Sequence, residues 1–511
     1  MKNRIMSPSP MERRAFGLVA WLEQTRIVLP LKGVECSFSV CGDVVSVEID
    51  QIFHQNNPQP LDCLYTFPLP AGAAVYRCEM HVNGRLVRAR VEEREAARRL
   101  AAEKKAAGYR TALVEMERDN LFTLSLGNVQ PDDLVVIRFA YFQTLTRLGD
   151  WTSFSIPFCP GVRYIPGAPL LRPPSGRGVV DDTDQVPDAS RISPPRIEKL
   201  HPDAAYLSVE GEIEHPLGEV EDISSPTHPV LVRPASGSST VTLADETAVP
   251  DSDFVVRWTE TTPQEARLTG WMTRQGEETF GLARFCAPRE AASADQYAQD
   301  FYFLIDRSGS MQGLKWKKAV EAFREFLNVL GENDRVWATF FNSESEDLAE
   351  KPMLASTFRA DGWIRSLDTL DAAGGTELLP ALEHVLEKIT KHSGGNRPVS
   401  LLLITDGEVG NEADVLKRLA RHRTLRVDVF GIDVTINDGF LNKLAAQHQG
   451  TACLMSPTDD IAGAVTQVWW GVFLDASKAG GQTTMPTDRV ERCERRNFFA
   501  AKSSPKVHSA L

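Results

Sequence analysis

The sequence predicts a multidomain α+β and α/β protein, with β-rich units in the N-terminal half and a doubly wound parallel-sheet unit in the C-terminal half. Three observations carry this reading. At 511 residues the chain exceeds what one hydrophobic core usually organises. Up to about residue 290 its apolar residues recur with the two-residue period of strands, broken by Pro, Gly and Asn-Gly turns. From residue 297 onward, short wholly apolar runs alternate with segments whose apolar residues recur every three or four positions, as a sheet covered by helices requires.

Residues 1–24 read as an N-terminal extension. Arg13 and Arg14 ahead of "AFGLVAWL" resemble a signal peptide faintly, but the apolar part is short and "EQTR" follows without a small-residue cleavage site, so a cytoplasmic chain is expected. Residues 25–160 form the first β-rich unit: "CSFSVCGDVVSVEI" alternates, and Asn83-Gly84 is a hairpin signal. One helix interrupts it, about Glu92 to Ala107, with Gly108 as C-cap. Residues 161–202 read as a proline-rich linker or long surface loop, since nine prolines fall between 160 and 202. A second β unit is expected over 203–295, from runs such as "AYLSVEGEI" and "DFVVRWTE". The α/β unit spans 296–475. Its strands are "DFYFLID", "RVWATFF", "VSLLLI", "RVDVFGI" and "TACLM"; its helices carry Trp316 to Leu330, Leu379 to Ile389, 411–422, 439–448 and a segment from Asp459. Residues 476–511 have no sustained period and are expected to be disordered.

Composition excludes several classes of function. No apolar run approaches the roughly 18 to 20 residues that cross a bilayer, so no membrane insertion is expected. The net charge of −13, from 56 basic and 69 acidic residues, repels phosphate backbones and argues against nucleic acid. The basic stretch Gly84 to Lys105 holds eight Lys or Arg against four Glu, with opposite charges three and four apart, as on a solvated helix face. Eight cysteines without a CxxC pair indicate neither a disulfide framework nor a zinc site.

One stretch stands out chemically. "FLIDRSGSMQG" runs an apolar strand into Asp306, Ser308 and Ser310 at alternate positions. Ligands of a doubly wound sheet collect at the carboxyl ends of its strands, and a carboxylate with two hydroxyls offers hard oxygen ligands for a Mg²⁺-type ion, with Gly309 letting the loop fold tightly. Two more segments reach the same edge: "DAAGGTEL" with Thr376, and "LLLITDGE" with Asp406. Two carboxylates balance a divalent cation, Mg²⁺ or Mn²⁺, and three hydroxyls add no charge, leaving the ion open to an anionic ligand. Singly, a helix cap explains Thr376 and a turn explains the serines; it is their order on the right elements that points to a site.

In these residues the chain resembles the von Willebrand factor type A domain, with Asp306, Ser308, Ser310, Thr376 and Asp406 matching all five positions of its metal-ion-dependent adhesion site. The resemblance implies that the hydroxyls ligate directly or nearly so, that the aspartates act directly or through water, and that a protein partner's Asp or Glu completes the coordination. "YTFPLPAGAAVYRCEMHVNGR" and "AAGYRTALVEMERDNLFTLSLGNVQP" resemble the vault protein inter-alpha-trypsin (VIT) domain, and "PDSDFVVRWTE" looks like the segment before the type A domain in inter-alpha-trypsin inhibitor heavy chains. The sequence has no Asp-Pro-His tripeptide, so the heavy chains' linkage to hyaluronan is not implied. The expected function is a non-catalytic, metal-dependent protein-binding module. The alternatives are a scaffold subunit with a structural metal, and a metal-dependent hydrolase. A dehalogenase-like phosphatase would need a second acid where Ser308 stands, and no phosphate loop or activated serine motif occurs. Oligomeric state is open.

Overall fold

The computed structural model describes residues 18–465 apart from short internal segments, the longest being 194–204 and 287–297. Its N-terminal half builds one β body where two units were expected. The strand Tyr206–Glu214 runs parallel to Leu31–Cys41, with Val209 opposite Cys36, and so continues an eight-stranded sheet that also holds Val44–His54 and Leu134–Thr144. The boundary between 25–160 and 203–295 therefore does not divide the structure. The physical reason is alternation. Leu207, Val209 and Ile213 are buried between exposed neighbours, so this strand has one apolar face and needs the core that Val34, Phe38 and Val40 supply. Two further sheets, pairing Leu61–Pro68 with Leu121–Val129 and Trp151–Ile156 with Phe254–Glu260, turn Tyr65, Phe67, Phe154 and Trp258 into the same core.

The N-terminal extension is also shorter than expected. Leu18–Leu22 pairs with Thr25–Leu29 and with Leu61–Pro68, so from residue 18 the chain is part of the body. The inserted helix, Arg94–Ala106, falls within its expected span, and Gly108, at φ 82°, ends it by bonding back to the Lys105 carbonyl. The expected linker is a long loop with a small core of its own. Val186, Ala189 and Ile192 pack on Leu121, and Arg118 donates two 2.7 Å bonds to Asp188. Cys36, Cys41, Cys63, Cys78 and Cys453 are free, and burial pushes the Cys63 and Cys78 thiols up to about 12, away from reactivity.

The C-terminal unit is a parallel sheet flanked by helices. Asp300–Asp306 lies between Arg335–Phe341 and Val399–Thr405, followed outward by Arg426–Ile432 and Ala452–Met455. In chain order this is 2-1-3-4-5, so the connections leave the first strand in opposite directions. The helix Leu314–Val329 covers one face, and the helices Leu378–His392, Glu412–Leu419 and Asp438–Ala446 cover the other. Every residue of Asp300–Asp306 is buried, which is why that strand reads as a continuous apolar run. Short edge strands at Ser345–Asp347 and Met353–Leu354 were not expected; at three and two residues they are too brief to leave a period. Ile461 and Val465 of the segment after Asp459 are buried in the core, and the expected disordered tail lies outside the described residues. Among the described residues no helix is long and apolar enough to cross a membrane.

Candidate functional site

The strand order 2-1-3 makes the crevice between the first and third strands a topological switch point, where the two adjacent loops diverge and leave room for a ligand. Asp306 ends the first of these strands and Asp406 follows the third. Both are fully buried. Asp306 accepts the Ser308 N–H at 2.9 Å and the Thr405 hydroxyl at 2.7 Å, and the Ser308 and Ser310 hydroxyl oxygens lie 3.0 Å apart. The loop carrying buried Thr376 is tied to the first loop by the Gly309 N–H on the Gly374 carbonyl at 2.9 Å, and by the Ala373 N–H on the Arg307 carbonyl at 2.9 Å. The structure thus brings the expected Asp306, Ser308, Ser310 and Asp406 to one crevice, with the Thr376 loop bonded alongside. Gly309 has an ordinary φ; what it supplies is clearance, since a Cβ there would stand 3.2 Å from the Gly374 carbonyl oxygen. It is Gly407, at φ 75°, that uses glycine's freedom to turn the chain after Asp406.

The electrostatics of the crevice are unbalanced. Burial pushes the Asp306 carboxyl up to about 7, and the neighbouring Asp406 charge pushes in the same direction, against the bonds from Ser308 and Thr405. Asp406, Glu408 and Asp433 form a buried acidic group whose ligand oxygens all lie within 4.8 Å of one another. Lys315 sits in it, its Nζ 3.0 Å from an oxygen of both Asp406 and Asp433. Burial works against the Lys315 charge, but Asp406, Asp433 and Glu408 outweigh it and hold the ammonium above its usual value. Lys315 thus bridges Asp406 and Asp433, and the side-chain donors that line the crevice beside it are all oxygen. The residues present therefore fit a hard divalent cation.

Lys315, Glu408 and Asp433 are absent from the sequence-based site. A signal for Lys315 exists: it is a cation in the first turn of a helix, where the macrodipole disfavours it unless acids lie nearby. Asp433 follows the fourth strand, and spacing alone does not reveal its meeting with Lys315.

Residues 31–141 match the family described as the vault protein inter-alpha-trypsin domain, and residues 299–454 match the von Willebrand factor type A domain. The chain carries both domains. The VIT match falls within the β body, and the type A match covers the parallel sheet with Asp306, Ser308, Ser310, Thr376 and Asp406. Among relatives, protein mono-ADP-ribosyltransferase PARP4 of Mus musculus is 24% identical over 430 residues, covering 82% of this chain and 20% of that protein. Von Willebrand factor A domain-containing protein 5A of Rattus norvegicus is 23% identical over 460 residues, covering 84% of this chain and 53% of that one. The chain thus spans from a fifth to about half of these relatives' lengths. Manganese-loaded TRAP protein of Plasmodium vivax is 18% identical, covering 40% of this chain and 76% of that one, at a TM-score of 0.29, too low for the likeness to carry weight.

Proposed function

We propose that the chain is a divalent-metal-dependent protein-binding module, non-catalytic, whose ion is held by Asp306, Ser308, Ser310, Thr376 and Asp406. The observation that carries this reading is a pair of fully buried acids, Asp306 and Asp406, at the ends of adjacent strands at a switch point lined with the Ser308 and Ser310 hydroxyls. A carboxylate in that state is stabilised by a nearby cation more than by any rearrangement of a closed core. Ser308 and Ser310, with hydroxyls 3.0 Å apart, supply neutral oxygen ligands, and Lys315 donates to Asp406 Oδ2. The bound ion, Mg²⁺ or Mn²⁺, supplies a positive centre at which an Asp or Glu of the partner completes the coordination. Rigid strands around the crevice pre-form it, so binding needs no refolding of the sheet.

Titration calorimetry of the full chain with Mg²⁺ and with Mn²⁺ is the direct test. One ion per chain is expected, lost in Asp306→Asn. A pull-down from a cell extract with and without EDTA, followed by competition with free glutamate-rich peptide, then tests the acidic partner. Equal ion binding by Asp306→Asn and the parent would sink the site assignment.

A further inference from the structure

The loop between the two halves of the β body reaches the candidate crevice, and a single residue of it, Tyr164, touches the loops of both Thr376 and Asp406. The Tyr164 N–H donates to the Glu408 carbonyl at 3.0 Å, and Tyr164 forms an isolated parallel bridge with Val409, two and three residues after Asp406. Its hydroxyl donates to Glu377 Oε1 at 3.0 Å, one residue after Thr376. The fit is close. A Cβ on Gly375 would stand 2.8 Å from the Tyr164 hydroxyl oxygen, and one on Gly410 would stand 3.0 Å from the Tyr164 carbonyl oxygen and 2.8 Å from Ile165. The second glycine of the Gly374-Gly375-Thr376 run thus leaves room for the Tyr164 ring of the body's loop.

The same loop is fastened to the β body at its far end. Arg118 holds Asp188 through two 2.7 Å bonds, and Arg191 donates to Glu117 at 2.8 Å. A second contact runs in parallel: the buried Asn120 amide donates to Asn437 Oδ1 at 3.2 Å, and Asn437 donates to the Gly407 carbonyl at 3.1 Å, again beside Asp406. The Tyr164 contact ends on the loops of both Thr376 and Asp406, and the Asn120–Asn437 contact ends on that of Asp406.

We propose that Tyr164 is a positioning residue for the metal site, clamping the Thr376 loop to the Asp406 loop, so that docking of the β body sets the affinity for the ion. The inference rests on the metal reading above. By linkage the effect is reciprocal: a body that tightens the site is itself held more firmly when the ion is bound. Removing a hydroxyl-to-carboxylate hydrogen bond changes an equilibrium by about 13- to 160-fold when the bond is made in one state only; this one is present without the ion, so only a part of that shift is expected in the affinity.

The test is calorimetric titration of the full chain with Mg²⁺ alone. Tyr164→Phe, which keeps the ring and removes only the hydroxyl, should raise the dissociation constant by roughly three- to tenfold, while the melting transition in EDTA stays cooperative and falls only by the loss of one hydrogen bond. Arg118→Ala, which releases the loop at its remote anchor, should weaken Mg²⁺ binding in the same direction. A residue with a merely structural role would move the EDTA transition and leave the affinity alone. If the parent binds Mg²⁺ and Tyr164→Phe binds it equally well, the positioning role is overturned and the metal site stands. If the parent binds no Mg²⁺, both fall. Parent-like affinity in Arg118→Ala overturns the link to the β body.

Discussion

The two ends of one strand carry the same residue in opposite circumstances. At the amino end of Asp300–Asp306, buried Asp300 accepts the Arg335 Nε–H at 2.7 Å and the Arg397 Nε–H at 2.9 Å. At the carboxyl end, equally buried Asp306 has a backbone amide and a hydroxyl, with a second acid beside it. Desolvating a carboxylate costs several kcal/mol, and two guanidiniums offset that cost at one end only. The same contrast holds between neighbouring strands, since Asp428 near the amino end of Arg426–Ile432 is bonded by Arg426 at 2.8 Å. The amino edge of the sheet thus pairs its buried acids with guanidiniums, whereas at the carboxyl edge Lys315 pairs with Asp406 and Asp433, and Asp306 is held by an amide and a hydroxyl.

The largest effect should come from breaking the guanidinium pairing. Asp300→Ala leaves Arg335 and Arg397 facing each other at a partly buried site, and should lower stability by about 3–5 kcal/mol in urea unfolding, with Mg²⁺ affinity unchanged. Asp306→Asn, measured in EDTA at pH 8, should cost no stability, because it removes a charge that burial and the neighbouring Asp406 both disfavour. Similar losses at both ends would break the comparison.

Most of this was legible in the sequence where burial is two-sided. The five strands of the sheet read directly because a fully buried strand is apolar throughout, and DxSxS, GGT and TDG read as a site because oxygen ligands at strand ends have few other uses in that order. What was not legible depends on contacts between distant segments. Tyr206–Glu214 looks the same whether it starts a new sheet or extends an old one, and its pairing with Leu31–Cys41 is what decides. Tyr164 lies 213 residues from Glu377, and nothing in a run with nine prolines announces a contact of that range. Lys315 left a trace, a cation against a helix dipole, but that trace has meaning only once Asp433 is known to lie across from it.

The second effect is pH dependence, and it sharpens the contrast. Asp306 is raised in the folded chain, so metal-free stability is fully present below the ordinary carboxylate value of about 3.9 and is lost as pH rises through about 7. Melting in EDTA should therefore weaken between pH 5 and 8, and saturating Mg²⁺ should reverse the trend. Protons and the ion compete for the same oxygens. Below pH 7 the Mg²⁺ dissociation constant should rise by up to tenfold per pH unit, as calorimetry at pH 5, 6 and 7 would reveal. A flat affinity across that range would mean that Asp306 is already neutralised.

The smallest effect concerns an intermediate case on the sheet's edge, where Asp347 is half-buried but well supplied. It accepts the Thr339 hydroxyl at 2.7 Å, the His384 Nε2 at 2.9 Å and the Lys388 ammonium at 3.0 Å. Burial pushes its carboxyl up, but the Thr339, Lys388 and His384 bonds outweigh burial and hold it below the usual range. The sign is therefore opposite to that of Asp306: its stabilisation is present above the ordinary value of about 3.9 and is lost as pH falls through the lower folded value. Asp347→Asn keeps the shape but removes the charge, and should cost about 1–2 kcal/mol at pH 7 in urea unfolding, with Mg²⁺ affinity unaltered. Its loss of stability relative to the parent should shrink toward pH 3, whereas any gain from Asp306→Asn in EDTA should grow toward pH 8. If the two substitutions show the same pH slope, neutralisation by neighbours is not what separates the acids of this sheet, and the carboxyl edge loses its distinction as the place kept for an ion.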